Sequence, residues 1–205
     1  MKAETTNDLT RIELPVNGEN TCHILKDSIP DHLTLDSDQF DELWNLHPEE
    51  HSTIMIHGKP VRVPRWDKSY ERDYVFSGQK SHASGQPTPE ILLQYLTWVQ
   101  ANVCDSANGI FVNWHDGSLG HYHGAHRDST RGLVTGTPIT TISFGEQRTL
   151  RMRPFPAKSP FVNFDFQDGQ AIVIPWTTNQ HWYHEIPKSK RNKGLRVSIT
   201  IRSFG

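Results

Sequence analysis

From Gly109 onward, short apolar runs alternate with Gly, Pro and Asp turns, at 110–114, 140–144, 149–153, 161–166, 171–174 and 196–201. Many short strands at this spacing predict a sandwich or barrel. The last run is the most regular. Arg196, Ser198, Thr200 and Arg202 fall on one face and Val197, Ile199 and Ile201 on the other, the period of a half-buried strand. Two helices are predicted upstream. Residues 36–47 place Phe40, Leu43 and Trp44 on one apolar face, with Ser37 or Asp38 as N-cap and Pro48 as terminator. Residues 88–107 predict a longer helix, with Thr88 as N-cap, Pro89 first inside and Glu90 in the first turn, where the dipole favours an acid. Ile91, Leu92, Tyr95, Leu96 and Val99 then form a face suited to backing a sheet. Residues 9–25 alternate weakly and could add a strand or two. The expected class is mainly β with flanking helices (α+β).

Composition bounds this picture without redirecting it. The chain has 205 residues, 35% hydrophobic and 21% charged, enough for one domain with a sizeable core, and no repeat or linker divides it. A net charge of −2 gives no global attraction to polyanions, so any nucleic-acid binding must come from local patches. Cys22 and Cys104 form no CxxC motif, which leaves a disulfide framework or zinc ribbon unsupported and favours a reducing compartment. No apolar stretch is long enough for a membrane span, and the polar start is not a signal peptide. A monomer inside the cell, in cytoplasm or nucleus and without membrane association, is expected.

The candidate chemistry is concentrated late in the chain. His126, Asp128 and His184 are two imidazoles and a carboxylate, the set that binds one face of Fe(II) and leaves the opposite positions open. If 126 and 128 lie on a strand, their side chains share a face. In a chain with 12 histidines such a pair can equally be a surface feature. The run after 195 adds weight, because Arg196 and Arg202 lie on the same polar face. Their Cα atoms would be about 20 Å apart, and inward-leaning side chains could narrow that to under about 10 Å, the length of a diacid such as 2-oxoglutarate. Arginine forks donate paired hydrogen bonds to carboxylates. The alternative is an edge strand with solvated charges. A zinc cluster of His121, His123 and His126 is conceivable, but it leaves Asp128 and both arginines without a role.

Several motifs in one order resemble the AlkB family of Fe(II)/2-oxoglutarate dioxygenases, closest to its animal DNA-repair homologues. They are Asn113, Gly124-Ala-His126-Arg-Asp128, Pro138-Ile-Thr-Thr-Ile-Ser-Phe-Gly145, Trp182-Tyr-His184-Glu-Ile-Pro187 and the run from Arg196 to Arg202. Val63-Pro-Arg65, Tyr70 and Tyr74-Val-Phe-Ser-Gly78 resemble the lid before the barrel in that branch. The likeness covers 54–205, and residues 1–50 carry no part of it. It implies a double-stranded β-helix (jelly-roll) core at 109–205, a supporting helix at 81–108, a substrate-recognition lid at 54–80 and a strand and helix extension at 1–53.

Residue by residue, the resemblance implies that His126, Asp128 and His184 hold iron. Arg196 and Arg202 would bind 2-oxoglutarate with help from Asn113, and a flipped base would stack between Phe76 and His126, with Tyr74 nearby. The implied activity is oxidative demethylation of N-alkylated bases in DNA or RNA with O₂, releasing formaldehyde, succinate and CO₂. Lys190 and Arg191, in the basic loop 188–193, could grip phosphates, although a short charge run is more often a solvated turn.

Three departures stand out. His115 occupies the place of the family's co-substrate tyrosine, with Tyr122 as a possible substitute. Ser129, followed by Thr130, stands where members acting on adenine or cytosine carry an acid. Ile56-His57-Gly58 stands where a duplex-probing finger would carry an apolar wedge, and His57 is a poorer one. These departures motivate an alternative, hydroxylation of a small molecule or a protein side chain. Trp182 and Tyr183 are expected to pack around the metal ligands rather than touch substrate.

Overall fold

The structure is a computed structural model, and it describes residues 9–16, 18–76, 79–81, 87–157 and 159–205, without the side chains of 76 and 79–81. Its strands are β1 (Thr10–Glu13), β2 (His23–Ser28), β3 (Thr53–Ile56), β4 (Lys59–Arg62), β5 (Trp66–Tyr70), β6 (Tyr74–Phe76), β7 (Gln79–Ser81) and β8 (Gly109–Asp116). They continue with β9 (His123–His126), β10 (Ile139–Gly145), β11 (Arg148–Pro154), β12 (Val162–Phe166), β13 (Gln170–Ile174), β14 (Trp182–Ile186) and β15 (Leu195–Arg202). The helices are α1 (Ser37–Trp44), α2 (Glu90–Asn102) and α3 (Trp176–His181). A seven-stranded sheet runs β1-β2-β13-β10-β15-β8-β5, and a four-stranded sheet runs β12-β11-β14-β9. The pairs within both are antiparallel, as a jelly roll requires. Hairpins β3–β4 and β6–β7 stand outside them, while β5, from the segment expected as lid, forms an edge of the large sheet.

The alternating run at 196–202 occupies the middle of that sheet, between β10 and β8, and is buried on both faces rather than on one. Val197, Ile199 and Ile201 pack in a core with Leu92, Tyr95, Leu96 and Val99 of α2 and Leu43 of α1. Its polar face turns inward, into a cavity between the sheets. A second core joins the sheets beside that cavity, uniting Ile139, Ile172 and Ile174 with Leu150, Met152, Phe166 and Trp182.

Local signals set the helix ends differently from expectation. Asp36, not Ser37 or Asp38, caps α1: its carboxylate accepts from the Gln39 N–H at 2.9 Å while Gln39 Oε1 accepts from the Asp36 N–H at 3.0 Å. That reciprocal box satisfies two orphan donors at once, which neither neighbour could do. Helix α2 begins at Glu90 after Pro89, with no side-chain cap from Thr88, and ends at Asn102, five residues short of the expected 107. Gly145 ends β10 at φ +82, and an added Cβ would collide with the Leu195 carbonyl and lie 2.8 Å from the Phe40 ring of α1. Only glycine permits both that backbone and that approach.

Among the described residues no helix is long and apolar enough to cross a membrane. The core behind β15 is tightly filled, with Ile199 fully excluded from solvent. Ile199→Ala is therefore expected to cost about 2–5 kcal/mol, read as a lowered midpoint in urea unfolding.

Candidate active site

A cavity of about 450 Å³ opens between the two sheets. One wall is the polar face of β15 with Phe111, Asn113 and His115 of β8. The opposite wall comes from β9 and β14, and Ile54, Ile56, Val61 and Arg62 of the β3–β4 hairpin border it.

Strand pairing brings the two distant histidines together, since β14 lies against β9 with His184 opposite His126. Asp128 joins them by a route that spacing did not foresee. β9 ends at His126, so Asp128 is not on the strand at all. Instead Asn179 of α3 holds its backbone, Oδ1 accepting from the Asp128 N–H at 2.9 Å and Nδ2 donating to the Asp128 carbonyl at 3.1 Å. The ligand atoms of His126, Asp128 and His184 then lie within 4.8 Å of one another. Asp128 Oδ1 is 3.4 Å from His126 Nε2 and 3.8 Å from His184 Nε2.

Protonation suits a cation. His126 Nδ1 lies 2.9 Å from the Gly124 carbonyl. A carbonyl only accepts, so Nδ1 carries a proton and Nε2 is the ring nitrogen turned to the other ligands. Burial, with His126 and Arg202 nearby, pushes His184 down to about 3 despite Asp128, leaving it neutral. Burial alone would raise the Asp128 carboxyl, but Arg202 and the two imidazoles override it and hold the group well below the usual carboxylate range. Two imidazoles and an ionised carboxylate are a donor set compatible with Fe(II).

The two arginines of β15 have different surroundings. Arg202 donates from Nε and Nη2 to Asp128 Oδ2 at 2.9 and 2.6 Å, and its guanidinium lies 4.3 Å over the Tyr74 ring. Arg196 donates from Nε to Ser143 Oγ at 2.9 Å, while its buried Nη1 has no partner among the described residues. His115, opposite Arg196 in the register, is equally buried, and neither of its ring nitrogens has a partner among the described residues. Burial, reinforced by Arg196, Arg65 and Arg148, pushes His115 well below its ordinary value, so it is a neutral imidazole. Leaving a buried polar group unsatisfied costs about 1–3 kcal/mol. Orphans grouped on a cavity wall suit an anionic, hydrogen-bonding ligand such as a carboxylate.

Asn113 is engaged by Arg65, whose Nε donates to its Oδ1 at 2.6 Å. Burial lowers Arg65 to about 10, with Asp67 opposing, so it remains a cation at neutral pH. Tyr74 lines the cavity with its ring against Arg202, and burial pushes its hydroxyl pKa up. Phe76 lies in β6, but its side chain falls outside the described residues. Ser129 lines the cavity beside Asp128. His57 sits exposed at the hairpin turn with φ +49, outside the lining, and Lys190 and Arg191 are exposed and also outside it. Trp182 is buried in the inter-sheet core, and Tyr183 packs edge-on to Phe155 at 5.3 Å.

The alternative zinc cluster does not assemble. His121 turns to Trp66 and His51, its Nδ1 accepting from the Asp116 N–H at 3.1 Å, while His123 stacks on His126 at 3.9 Å. Among the described residues His126, Asp128 and His184 form the one group spaced for a metal. Two site residues were not foreseen in these roles. Pro175 marks a helix start, yet nothing in the sequence aims the Asn179 amide at Asp128. Arg65 is visible in Val63-Pro-Arg65, but its reach to Asn113 depends on the pairing of β5 with β8.

Asn179→Ala is expected to weaken Fe(II) binding by about 10- to 100-fold, the usual effect of losing a group that orients a ligand. Anaerobic titration of Fe(II) into the two proteins checks this, and equal affinities would contradict it.

Comparison with known proteins agrees with this geometry. Residues 26–202 match the 2OG-Fe(II) oxygenase superfamily, so the likeness begins upstream of residue 54, where the motifs first showed it. Human DNA oxidative demethylase ALKBH2 is 29% identical over 98% of this chain and 85% of its own length. The mouse protein of that name is 31% identical over 74% of this chain and 66% of its own length. Human alpha-ketoglutarate-dependent dioxygenase alkB homolog 3 is 26% identical over 38% of this chain and 30% of its own. The solved structure of OsALKBH1 shares the fold, with a TM-score of 0.58 over 94% of this chain and all of that one, at 11% identity. With the matched family spanning both sheets and the inward-facing triad, the chain belongs to the 2OG-Fe(II) oxygenase superfamily and is an AlkB-like dioxygenase using Fe(II), 2-oxoglutarate and O₂.

Proposed function

We propose that this dioxygenase oxidatively demethylates N-alkylated bases in DNA or RNA. The observation that carries the reading is the juxtaposition of His126, Asp128 and His184 with an unpartnered Arg196 Nη1 on the wall of one cavity. The names of the human and mouse relatives, DNA oxidative demethylases, point to the substrate class. A volume of about 450 Å³ falls within the range of small-molecule sites and admits a single nucleobase beside a five-carbon diacid. A paired base would have to leave its stack, at a cost of a few kcal/mol, which favours damaged or single-stranded sites. Such substrates place the enzyme in the nucleus or cytoplasm.

In this reading His126 Nε2, Asp128 Oδ1 and His184 Nε2 hold the iron. Arg196, with His115 beside it, takes the distal carboxylate of 2-oxoglutarate, and the Nη1 that lacks a partner gains one. Arg202 keeps Asp128 ionised and oriented. Asn113, fixed by Arg65, sits between the two arginine positions, opposite Ser198 in the register. When bound, Fe(II) with 2-oxoglutarate and O₂ supplies the oxidising power: one oxygen atom enters succinate as CO₂ leaves, and the other hydroxylates the N-methyl carbon. The resulting N-hydroxymethyl base breaks its C–N bond to give formaldehyde and the unmodified base.

Incubation with Fe(II), ascorbate, 2-oxoglutarate and a methylated oligonucleotide should yield equal amounts of succinate and formaldehyde, and Asp128→Ala should yield neither. Succinate formation indifferent to every methylated oligonucleotide would point instead to a small molecule or a protein side chain as substrate. Arg196→Met is expected to raise the KM for 2-oxoglutarate at least ten-fold with Fe(II) affinity unchanged. An unaltered KM would remove Arg196 from the co-substrate site.

A further inference from the structure

One buried cation beside the cavity is left without a task. Arg148, 2% exposed, opens β11, and the residues that turn inward along that strand are Arg148, Leu150 and Met152. Leu150 lines the cavity, so Arg148 projects into the same space between the sheets, just outside the lining. Its Nη2 donates to the His121 carbonyl at 3.2 Å and the Pro187 carbonyl at 3.1 Å, which anchors the side chain. Its Nη1 is buried and has no partner among the described residues. The residue opposite Arg148 in the ladder is Phe166, and the Arg196 guanidinium lies 5.2 Å over that ring. Arg148 from the small sheet and Arg196 from the large one thus meet at one aromatic ring, each with an Nη1 that lacks a partner among the described residues.

Two guanidinium groups at one ring repel each other. Burial first, then the charge of Arg148, lowers Arg196 to about 9, and burial lowers Arg148 with Glu146 opposing. Both remain cations at neutral pH. Glu146 has its carboxylate occupied, accepting from the Lys193 and Gly194 N–H groups at 3.1 and 2.8 Å. Arg202 has Asp128 at 2.6 Å, whereas no described acid is hydrogen-bonded to Arg148 or Arg196. A buried charge is costly unless it is paired, and one carboxylate near the ring would offset two.

We propose that Arg148 is a second cation for the distal carboxylate of 2-oxoglutarate, which rests on the placement of that carboxylate at Arg196 in the function proposed above. Arg196 makes the hydrogen bonds, and Arg148 adds its charge from beside Phe166 without touching the ligand. A charge already fixed by two carbonyls costs little further ordering when the co-substrate enters. It also selects, because a keto acid without the second carboxylate gains nothing from it, and specificity is a difference between two affinities.

The test is anaerobic calorimetric titration of the Fe(II)-loaded protein with 2-oxoglutarate and with 2-oxopentanoate, in which a methyl group replaces the distal carboxylate. Arg148→Gln, which can still donate to a carbonyl but carries no charge, should weaken 2-oxoglutarate about ten-fold and leave 2-oxopentanoate within about two-fold. Arg148→Lys, charged but without the fork, should hold the preference for the diacid within about three-fold of that of the unsubstituted protein. Arg196→Met should weaken 2-oxoglutarate and yet still prefer it to 2-oxopentanoate, by the share that Arg148 supplies. Equal weakening of both ligands in Arg148→Gln, unchanged binding of 2-oxoglutarate there, or loss of all preference in Arg196→Met would overturn the proposal. If Arg196→Met binds 2-oxoglutarate as tightly as the unsubstituted protein does, the carboxylate lies elsewhere and its placement at Arg196 fails, and this proposal with it.

Discussion

The site depends on one carboxylate with both oxygens committed: Asp128 gives Oδ2 to Arg202 and turns Oδ1 to His126 and His184. Removing one partner of a buried ion pair leaves an uncompensated charge, at a cost of about 3–5 kcal/mol, so neither group can leave alone. Arg202 is anchored at the end of a central strand, and its guanidinium lies over Tyr74 and, at 5.8 Å, Phe111. Asp128 is anchored through its backbone by Asn179. The pair thus ties a residue of irregular backbone to an interior strand of the large sheet, and the proposed metal ligands and co-substrate wall become one unit.

That arrangement explains why β15 can bury a polar face. Val197, Ile199 and Ile201 supply the core behind the sheet, while Arg196, Ser198, Thr200 and Arg202 are removed from bulk water only because cavity, neighbouring side chains and ligands serve them. Arg202 is satisfied within the protein. Arg196 Nη1 and the His115 ring find no partner among the described residues, and in the proposed function these atoms are the stored capacity for a carboxylate.

Much of this was legible in the residues. The period-two alternation after Leu195 depends on no partner strand, so the inward grouping of Arg196 with Arg202 could be read directly. The order of motifs carried the family and the jelly roll. What escaped was set by contacts between distant segments. His-x-Asp suggested two residues on one strand, but Asp128 lies beyond the end of β9, and its position comes from an amide fifty-one residues away. Burial on both faces of β15 reflects its two neighbours, β10 and β8, rather than anything in its own composition. At α1 the capping box with Gln39 chose Asp36 over the equally plausible Ser37 and Asp38, a decision made by side-chain geometry.

The most direct test of the account is a crystal structure of the protein loaded anaerobically with Fe(II) and 2-oxoglutarate. The account predicts a single iron bound by His126 Nε2, Asp128 Oδ1 and His184 Nε2, with Arg202 still on Asp128 Oδ2 and the distal carboxylate of 2-oxoglutarate on Arg196. Iron held by other side chains, or Arg202 released from Asp128 to take the co-substrate alone, would contradict it.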